Sequence, residues 1–574
     1  MLIWKLYYTF LFIIGLTVGE IKNKGWWKNE VFYQVFPRSF MDSNGDGIGD
    51  LNGIISKLDH FVDSGITAIW MSPIYSSPMI DSGYDITNFR DVDQIFGTIH
   101  DFEKLVQKAK KLGIKIIMDF VPNHTSIKHK WFVKSVNNIG KYKDYYIWHK
   151  GRENNTKPPN NWIGVFGGPA WTYNKKRNLW YYHQFDYRQP DLNYRNYKVE
   201  IEMKKILHFW LRKGIDGFRI DAVPNLFEND DLLDEPLSNL KGYVDGEYRY
   251  HDHIYTTHDS RDYEIVARWR KILDEWANYH NQEEKIVMTE VYTLSFKAVM
   301  KYYNYGSHVP FNFDFIISIN ETLNARQYKN VITRWIANLP SDKSANWVTS
   351  NHDTGRSASV DPIRPNIRLI LSLILPGISC VYYGDEIGME NNFNITWEQT
   401  QDPQACRTDP KTYQKVSRDF SRTPFQWDDT MNAGFSKARK TWLPVHKNYK
   451  ILNLKNQKFE PESHFKLFKT LVALKKSSET LKSGSLITDT LNNDKVLVVS
   501  RQSSNESIVF IVNFSDDVSQ NVNLNKYLPG AVRATVIISS VGSNIRWGTS
   551  IKVPDVELPP SIMLLLTSIT VEST

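Results

Sequence analysis

The stretch that decides the fold is Gly217-Phe218-Arg219-Ile220-Asp221-Ala222, an apolar run that carries an arginine and, near its end, a carboxylate. Side chains alternate between the two faces of an extended strand, so Arg219 and Asp221 point to the same face. Parallel-barrel enzymes assemble their sites from residues at the carboxyl ends of strands. The stretch therefore predicts a buried strand with potential chemistry at its C-terminal end.

Seven more short apolar runs resemble this one along the chain. They are Val31–Phe36, Ile66–Met71, Ile114–Val121, Lys285–Val291, Pro310–Ile316, Asn346–Ser350 and Gly377–Tyr383. Amphipathic helical patterns separate several of them, and two of these patterns end at Gly113 and Gly214, as glycine-capped helices do. Eight strands alternating with helices predict an α/β fold of the (β/α)8 TIM-barrel type, with an open doubly wound sheet as the alternative.

The positions of the polar residues favour the barrel. Asp119, His124, Asp221, Glu290, His352 and Asp353 all lie at or just beyond the ends of apolar runs. A single strand-end acid is more often a helix cap or a salt-bridge partner. Core packing does not explain why such residues recur in barrel order, whereas a site at the barrel rim does.

Changes in composition and hydrophobic periodicity divide the rest of the chain into regions. An irregular subdomain rich in Trp, Tyr, Asn, Gly and Pro follows the third strand, and short alternating strands near the C-terminus predict an antiparallel β-sandwich. The predicted division is a signal peptide at 1–19, barrel segments at 20–124 and 194–485, the inserted subdomain at 125–193 and the β domain at 486–574.

Composition limits the function classes. The chain has 574 residues, of which 41% are hydrophobic and 23% charged, as in ordinary globular proteins. The net charge of +7 is spread without a basic block, which argues against a nucleic-acid partner. Aromatic residues reach 13%, enough for a rigid core and for platforms that stack on sugars.

The N-terminus predicts export. Lys5 precedes an apolar run from Leu6 to Val18, and small residues before Gly19 predict a signal peptide cleaved after that residue. An uncleaved membrane anchor is the alternative, but the run is shorter than the roughly 18 residues that a spanning helix needs. We expect a secreted, extracellular protein without a transmembrane segment.

Two further sequence features bear on the predicted secretion. Glycosylation sequons begin at Asn154, Asn320, Asn394, Asn505 and Asn513, and the pattern also occurs at Asn123. The only cysteines are Cys380 and Cys406. Cys380 lies in an apolar strand, so we expect a buried thiol there, with a disulfide to Cys406 as the alternative.

Several blocks together carry a family resemblance. The strand-end blocks are Asp119-Phe120-Val121-Pro122-Asn123-His124, Gly217–Ala222, Thr289-Glu290-Val291 and Ser350-Asn351-His352-Asp353, and three more are Val35–Phe40, Gln189–Asn193 and Arg422–Trp427. In this order they resemble the signature regions of the α-amylase superfamily, glycoside hydrolase family 13, in its α-glucosidase branch. The resemblance runs from about Gly25 to the C-terminus. It is strongest with secreted insect maltases and sucrases, through Asp402-Pro403-Gln404-Ala405-Cys406 ahead of Arg418-Asp419.

The resemblance implies a catalytic set. Asp221 would be the nucleophile, Glu290 the acid/base and Asp353 the group that stabilises the transition state through sugar hydroxyls. Retaining cleavage needs the first two carboxyl groups about 5 Å apart. Arg219 is expected to keep Asp221 ionised, while Glu290 must have a raised pKa to start protonated.

The resemblance also implies a closed pocket for one glucose. Tyr84 would stack on the sugar, and Asp81 would bind its far hydroxyls and pair with Arg422, which makes cleavage exo-acting and argues against starch. His124 and His352 would donate hydrogen bonds to the glucose, the alternative being buried structural histidines.

Three residues are expected near the second sugar of the substrate. Ala222, directly after the nucleophile, is typical of α-1,4- and sucrose-cleaving relatives, whereas Val is usual where α-1,6 bonds are preferred. Such a pocket effect is worth only about 1–3 kcal/mol. Phe166 and Phe185 are expected to line the entrance, with ordinary packing as the alternative.

A Gly-rich loop predicts a metal site. The alternate oxygen donors from Asp42 to Asp50 suit a hard cation, but Gly53 stands where an EF-hand needs a bidentate Glu. The resemblance implies a structural Ca²⁺ held by Asp42, Asn44, Asp46, the Ile48 carbonyl and Asp50. A metal-free loop of Asx turns is the alternative, and no organic cofactor is expected.

The sequence therefore predicts a secreted, retaining, exo-acting α-glucosidase. Its substrates would be small α-glucosides, namely maltose, malto-oligosaccharides and sucrose, with transglucosylation as a side reaction. A non-catalytic relative of the transporter heavy-chain kind, or a receptor, is the alternative. Retention of Asp221, Glu290 and Asp353 argues against it.

Overall fold

The computed structural model describes residues 20–293, 295–319 and 324–569. The predicted signal peptide at 1–19 and the sequon at Asn320 lie outside these ranges. Within them, none of the helices combines the length and apolar character needed to cross a membrane.

Eight parallel strands form the predicted barrel, which confirms the fold class. The strands are β1 (Val31–Val35), β2 (Ala68–Met71), β3 (Lys115–Phe120), β4 (Gly217–Ile220), β5 (Ile286–Thr289), β6 (Val309–Pro310), β7 (Asn346–Val348) and β8 (Ile378–Tyr382). Their spatial order is β6-β5-β4-β3-β2-β1-β8-β7. The Asn346 side chain closes the seam between β6 and β7, donating to Pro310 O and accepting from Asn312 N, both at 2.7 Å. A side-chain amide thus supplies hydrogen bonds that a backbone ladder provides elsewhere.

The sixth predicted strand, Pro310–Ile316, is wrong in extent. The strand covers only Val309–Pro310, and a short helix forms at Asp314–Ile317. Asn312 Oδ1 accepts a 3.0 Å hydrogen bond from the Asp314 backbone N–H, and this local bond turns the chain out of the extended conformation.

Helical segments follow the strands along the chain. The bounds are Pro37–Phe40, Leu51–Ser56, Leu58–Ser64, Ile99–Lys111, Lys130–Val136, Arg152–Asn155, Tyr197–Arg212, Ser260–Tyr279, Phe296–Asn304, Asp314–Ile317, Ala325–Asn338, Ser357–Val360, Ile367–Ile374, Pro403–Cys406, Leu454–Phe459, His464–Ser477 and Glu479–Ser483. The helix before β3 begins with a reciprocal capping box between Thr98 and Asp101 and is followed by Gly113 at φ +73°.

Alternate residues of each strand enter two different cores. Phe32, Trp70, Ile117, Met288 and Cys380 pack inside the barrel, whereas their neighbours face the helices. This period of two is what an extended strand buried on both faces requires. Cys380 is a buried free thiol and Cys406 is a free, exposed one. The predicted buried thiol is therefore confirmed, and the disulfide alternative is wrong.

Two β-rich regions complete the chain. The segment after β3 contains a three-stranded antiparallel sheet of Trp148–His149, Trp171–Asn174 and Leu179–Tyr182. The C-terminal region confirms the predicted antiparallel sandwich. One sheet has six strands, Ser485–Leu491, Val496–Gln502, Glu506–Asn513, Arg533–Ser539, Ser550–Lys552 and Met563–Ile569, and the other has Gln520–Val522 and Val556–Leu558. The sheet begins at Ser485, beside the predicted domain boundary at 486.

Candidate active site

The guanidinium of Arg219 is the centre of the site. Its Nη1 donates to Asp221 Oδ1 at 2.6 Å and to Asp119 Oδ1 at 2.7 Å, and its Nη2 donates to Glu290 Oε1. The second Glu290 oxygen accepts from the Ala222 backbone N–H at 3.0 Å. Arg219 is 1% exposed, because β3, β4 and β5 bring these carboxylates together around it. Because both carboxylates accept hydrogen bonds from this one guanidinium, Asp221 and Glu290 are held close together.

Both carboxylates line one cavity of about 300 Å³, at the lower end of the usual range for ligand pockets. The predicted residues that line it are Asp81, Tyr84, His124, Phe166, Phe185, Asp221, Ala222, Glu290, His352 and Asp353. Arg219 and Arg422 lie behind this lining. The other lining residues were not predicted from the sequence; they are Val165, Pro224, Asn225, Tyr248, Thr257, Tyr292, Thr354, Gln404 and Arg418.

The protonation of the two carboxylates follows from burial and crowding. Burial raises the pKa of Asp221 to about 6, because the lowering by Arg219 does not offset desolvation and the nearby charge of Asp119. The expectation that Arg219 alone would keep Asp221 fully ionised is thus too simple. Burial also raises the pKa of Glu290 well above its usual value, and the charges of Asp221 and Asp353 add to the rise. A raised pKa is what a proton donor needs.

The pKa of Asp353 is shifted in the opposite direction, downward. Burial opposes its ionisation, but His352, Arg418 and Arg422 hold its pKa well below the usual range. Arg422 Nη2 donates to Asp353 Oδ1 at 2.9 Å, and Arg418 Nη1 donates to the same oxygen at 3.1 Å. A carboxylate between two guanidinium groups remains a fixed negative charge.

The predicted pairing of Asp81 with Arg422 is wrong. Arg418 Nη2 donates to Asp81 Oδ1 at 2.8 Å, whereas Arg422 is fully buried and its Nε donates to His352 O at 2.7 Å. Asp402 holds Arg418 in place, accepting from its Nη2 at 2.6 Å and from its backbone N–H at 2.7 Å. Only the family marker Asp402–Cys406 ahead of Arg418 pointed to this contact in the sequence.

Tyr84 and His352 form one wall of the cavity. Their rings stack with centroids 5.3 Å apart and planes 5° from parallel. The Tyr84 hydroxyl donates to Asp119 Oδ2 at 3.0 Å, so it accepts from His352 Nε2, 2.8 Å away. Gln34 Nε2 donates to His352 Nδ1 at 2.9 Å. Burial lowers the pKa of His352 to about 3, so its ring is neutral with the proton on Nε2.

His124 has the opposite tautomer. Its Nδ1 lies 2.9 Å from Asn123 Oδ1, and that amide is oriented by donating from Nδ2 to Asp191 Oδ2 at 3.1 Å. Gln189 Nε2 donates to His124 Nε2 at 3.2 Å. Burial lowers the pKa of His124 to about 4, so Nε2 is an acceptor. The expected role of His124 as a hydrogen-bond donor to glucose stays a prediction.

Aromatic rings and Ala222 shape the rest of the cavity. Phe166 and Phe185 meet edge to face at 5.8 Å, and the Arg418 guanidinium lies 4.7 Å from the centre of the Phe166 ring. Ala222 has φ 48° and ψ 36°, a left-handed conformation that is uncommon without glycine and often found at functional sites. This turn aims the Ala222 N–H at Glu290.

The loop from Asp42 to Asp50 offers only oxygen ligands, a donor chemistry that fits calcium. Its N–H groups, however, satisfy the carboxylates: Asp42 accepts from Asn44 N at 3.0 Å and from Gly47 N at 2.8 Å. Across the described ranges, no three or more His, Cys, Asp or Glu side chains gather as a potential metal-ligand group. The oxygen donors of this loop fit a calcium ion, while backbone hydrogen bonds to Asp42 also hold the loop together.

Comparison with known proteins agrees with this geometry. Residues 34–484 match the family described as Alpha amylase, catalytic domain. The chain is 45% identical to an α-glucosidase of Apis mellifera, over 90% of each chain, and 43% identical to Maltase 1 of Drosophila virilis, over 94% of this chain and 86% of that enzyme. The crystal structure of an α-glucosyl transfer enzyme, XgtA, aligns with a TM-score of 0.82 at 30% identity, covering 95% of this chain and 99% of that one.

A carboxylate pair of this kind on a parallel barrel defines a glycoside hydrolase. The chain belongs to the α-amylase family, glycoside hydrolase family 13. The chain is also 36% identical to a human protein named amino acid transporter heavy chain SLC3A1, over 96% of this chain and 80% of that protein. The function of this chain must therefore be argued from its site.

Proposed function

We propose that the protein is a retaining, exo-acting α-glucosidase that removes terminal α-1,4-linked glucose from maltose and malto-oligosaccharides and also cleaves sucrose. The observation that carries the proposal is the pair of hydrogen bonds from Arg219 to Asp221 and Glu290 at the wall of one cavity. Asp221 and Glu290 are also close enough for a side-chain hydrogen bond between them. This separation suits double displacement, since an inverting enzyme needs a wider gap for water.

In the first step the ionised Asp221 attacks the anomeric carbon, and the bond from that carbon to the linking oxygen breaks. The protonated Glu290 gives its proton to the leaving oxygen, which departs as the second sugar. The free carboxylate charge next to Arg219 thereby passes from Asp221 to Glu290, and Asp353 stabilises the positive charge that develops on the sugar ring.

In the second step Glu290, now ionised, takes a proton from water, and the water oxygen attacks the same carbon. The ester to Asp221 breaks and glucose leaves with its original configuration. Another sugar hydroxyl that replaces water would give transglucosylation. No organic cofactor takes part in these steps.

Closure of the pocket supports exo action. Arg418 bridges Asp81 and Asp353, with hydrogen bonds of 2.8 and 3.1 Å, and Phe166 covers the guanidinium. An oligosaccharide that continued past this end of the cavity would have to displace this buried ion-pair network. Small α-glucosides are therefore the expected substrates.

Secretion is also part of the proposal, with cleavage of residues 1–19. The side chains of Asn154, Asn394 and Asn505 are exposed and would carry N-glycans. Asn513 would not, because its buried Nδ2 donates to Leu558 O and Pro559 O at 3.1 and 2.9 Å. Peptide mass spectrometry of protein secreted from insect cells would test both the new N-terminus at Glu20 and these sites.

Calcium in the loop from Asp42 to Asp50 remains a proposal. Asp42, Asn44, Asp46, Asp50 and the Ile48 carbonyl would hold the ion. It would brace a loop that contacts Ser436 and Trp442, through Ser436 Oγ to Asp42 Oδ2 at 2.5 Å and Trp442 N to Gly47 O at 3.0 Å. Its role would be structural.

An NMR product assay tests the proposed reaction. Maltose, sucrose, isomaltose and trehalose are supplied separately, and the first anomer released is recorded before mutarotation. We expect α-glucose from maltose and sucrose. Release of β-glucose would contradict retention, and an absence of turnover on all four sugars would favour a non-catalytic relative.

A further inference from the structure

The mouth of the cavity contains a side-chain network that the reaction steps do not use. Tyr84 and His352 are buried at 6% and 2% exposure, whereas Tyr248 and Thr257 line the same cavity but are only half-buried. Tyr248 and Thr257 therefore lie toward the opening, where the second sugar of a disaccharide would sit.

His253 supports Tyr248 from behind. The two rings stack with centroids 3.7 Å apart and planes 8° from parallel, and His253 Nε2 lies 2.6 Å from Tyr248 O. His253 Nδ1 lies 2.7 Å from Glu235 Oε2. One imidazole thus fixes both the ring plane and the backbone of Tyr248.

Glu235 anchors this support to the rest of the loop. Its side chain is fully buried, and its second oxygen accepts from Thr256 Oγ1 at 2.8 Å. Gln184 of the inserted subdomain donates to the Tyr248 hydroxyl at 3.4 Å. Buried polar networks that are satisfied in this way hold one geometry.

We propose that His253 is a positioning residue that, braced by Glu235, fixes Tyr248 as the wall against which the second sugar binds. The inference rests on the proposed α-glucosidase function and extends it to substrate selectivity. Tyr248 would contact the leaving sugar, whereas His253 and Glu235 act only through it. None of the hydrogen bonds described for this network involves Asp221, Glu290 or Asp81.

The test compares maltose with α-glucosyl fluoride, whose fluoride leaving group is too small to reach Tyr248. We expect Tyr248→Ala and His253→Ala each to lower kcat/KM for maltose about tenfold or more, mainly through KM, since one pocket contact is typically worth 10- to 200-fold. Activity on α-glucosyl fluoride should stay within about twofold. The double variant should be no worse than Tyr248→Ala, because the two residues act as one unit.

The matched control is His251→Ala, which removes a buried histidine of the same loop that does not line the cavity. It should leave the maltose-to-fluoride ratio unchanged. If His253→Ala does not fold, His253→Gln, which removes the stacked ring but keeps a hydrogen-bond donor, should give the same selective loss. An equal loss on both substrates, or an unchanged ratio with a lowered Tm, would overturn the inference. Wild-type inactivity on both substrates would instead refute the proposed function.

Discussion

Arg418 Nη2 donates a 2.8 Å hydrogen bond to Asp81 Oδ1 across 337 residues of sequence, and this contact joins two residues that line the cavity. The guanidinium depends on Asp402, a buried carboxylate that does not line the cavity. Asp402 therefore positions a guanidinium that lines the cavity.

Asp402→Asn tests this dependence. Hydrogen bonds to charged groups contribute about 1.5–3 kcal/mol, so weakening them should raise KM for maltose about tenfold or more and change kcat less. Steady-state kinetics check this, with Asp409→Asn, an exposed carboxylate of the same segment, as control. A lowered Tm without a change in KM would mean that Asp402 has only a structural role.

Asp221→Asn should stabilise the protein at neutral pH while abolishing turnover. The folded-state pKa of about 6 exceeds the unfolded value near 4, so stability is lost as pH rises through this window. At pH 7 the cost is at most about 3 kcal/mol, at 1.36 kcal/mol per unit of pKa. Thermal melts should show a higher Tm at pH 7 and little difference near pH 4.

The control for that melt is Asp252→Asn, which changes the same charge at an exposed position. A lower Tm for Asp221→Asn at pH 7 would contradict the crowding of Asp119, Asp221 and Glu290 around Arg219. The same pKa predicts that wild-type kcat/KM falls as the pH drops below about 6, because the nucleophile becomes protonated.

Ala222→Val should have two separable effects. The larger side chain should raise the isomaltose-to-maltose rate ratio, and a β-branched residue at φ 48° should cost about 1–3 kcal/mol of stability. Ala222→Gly removes the strain without adding bulk, and the greater freedom of glycine in the unfolded chain offsets part of that gain. This variant should therefore not lower the Tm and should keep the substrate ratio. An unchanged ratio in Ala222→Val would contradict the pocket argument.

Chelation tests the proposed calcium loop. Removing a bound ion lowers stability by mass action, so EGTA should reduce the Tm relative to calcium-containing buffer. Asp46→Asn should abolish this difference without affecting kcat. Identical melts of the wild type with EGTA and with calcium would mean that the hydrogen-bonded loop needs no ion.

The sequence predicted the barrel and its reactive rim because both depend on local patterns. Asp119, Asp221 and Glu290 each end or directly follow an apolar run, and parallel strands bring such residues to one edge. The sixth strand was the exception, since an Asn312 side-chain hydrogen bond diverts an apolar run into a helix. Apolarity alone does not distinguish the two conformations.

The remaining contacts could not be predicted because they depend on tertiary geometry. Whether Arg418 or Arg422 reaches Asp81 depends on the path of a loop far along the chain. The acceptor tautomer of His124 depends on Asn123 and Gln189, and the support of Tyr248 by His253 depends on a turn between them. None of these contacts has a fixed sequence spacing.

Covalent trapping tests the central claim, that Asp221 and Glu290 act as nucleophile and proton donor across one cavity. Glu290→Gln should lower maltose turnover by about 10²- to 10⁴-fold, as loss of a general acid does. With α-glucosyl fluoride, whose leaving group needs little protonation, this variant should form the glucosyl-enzyme and fail to hydrolyse it. Peptide mass spectrometry should find one glucosyl group on Asp221. A label on another residue, or undiminished maltose turnover by Glu290→Gln, would contradict the account.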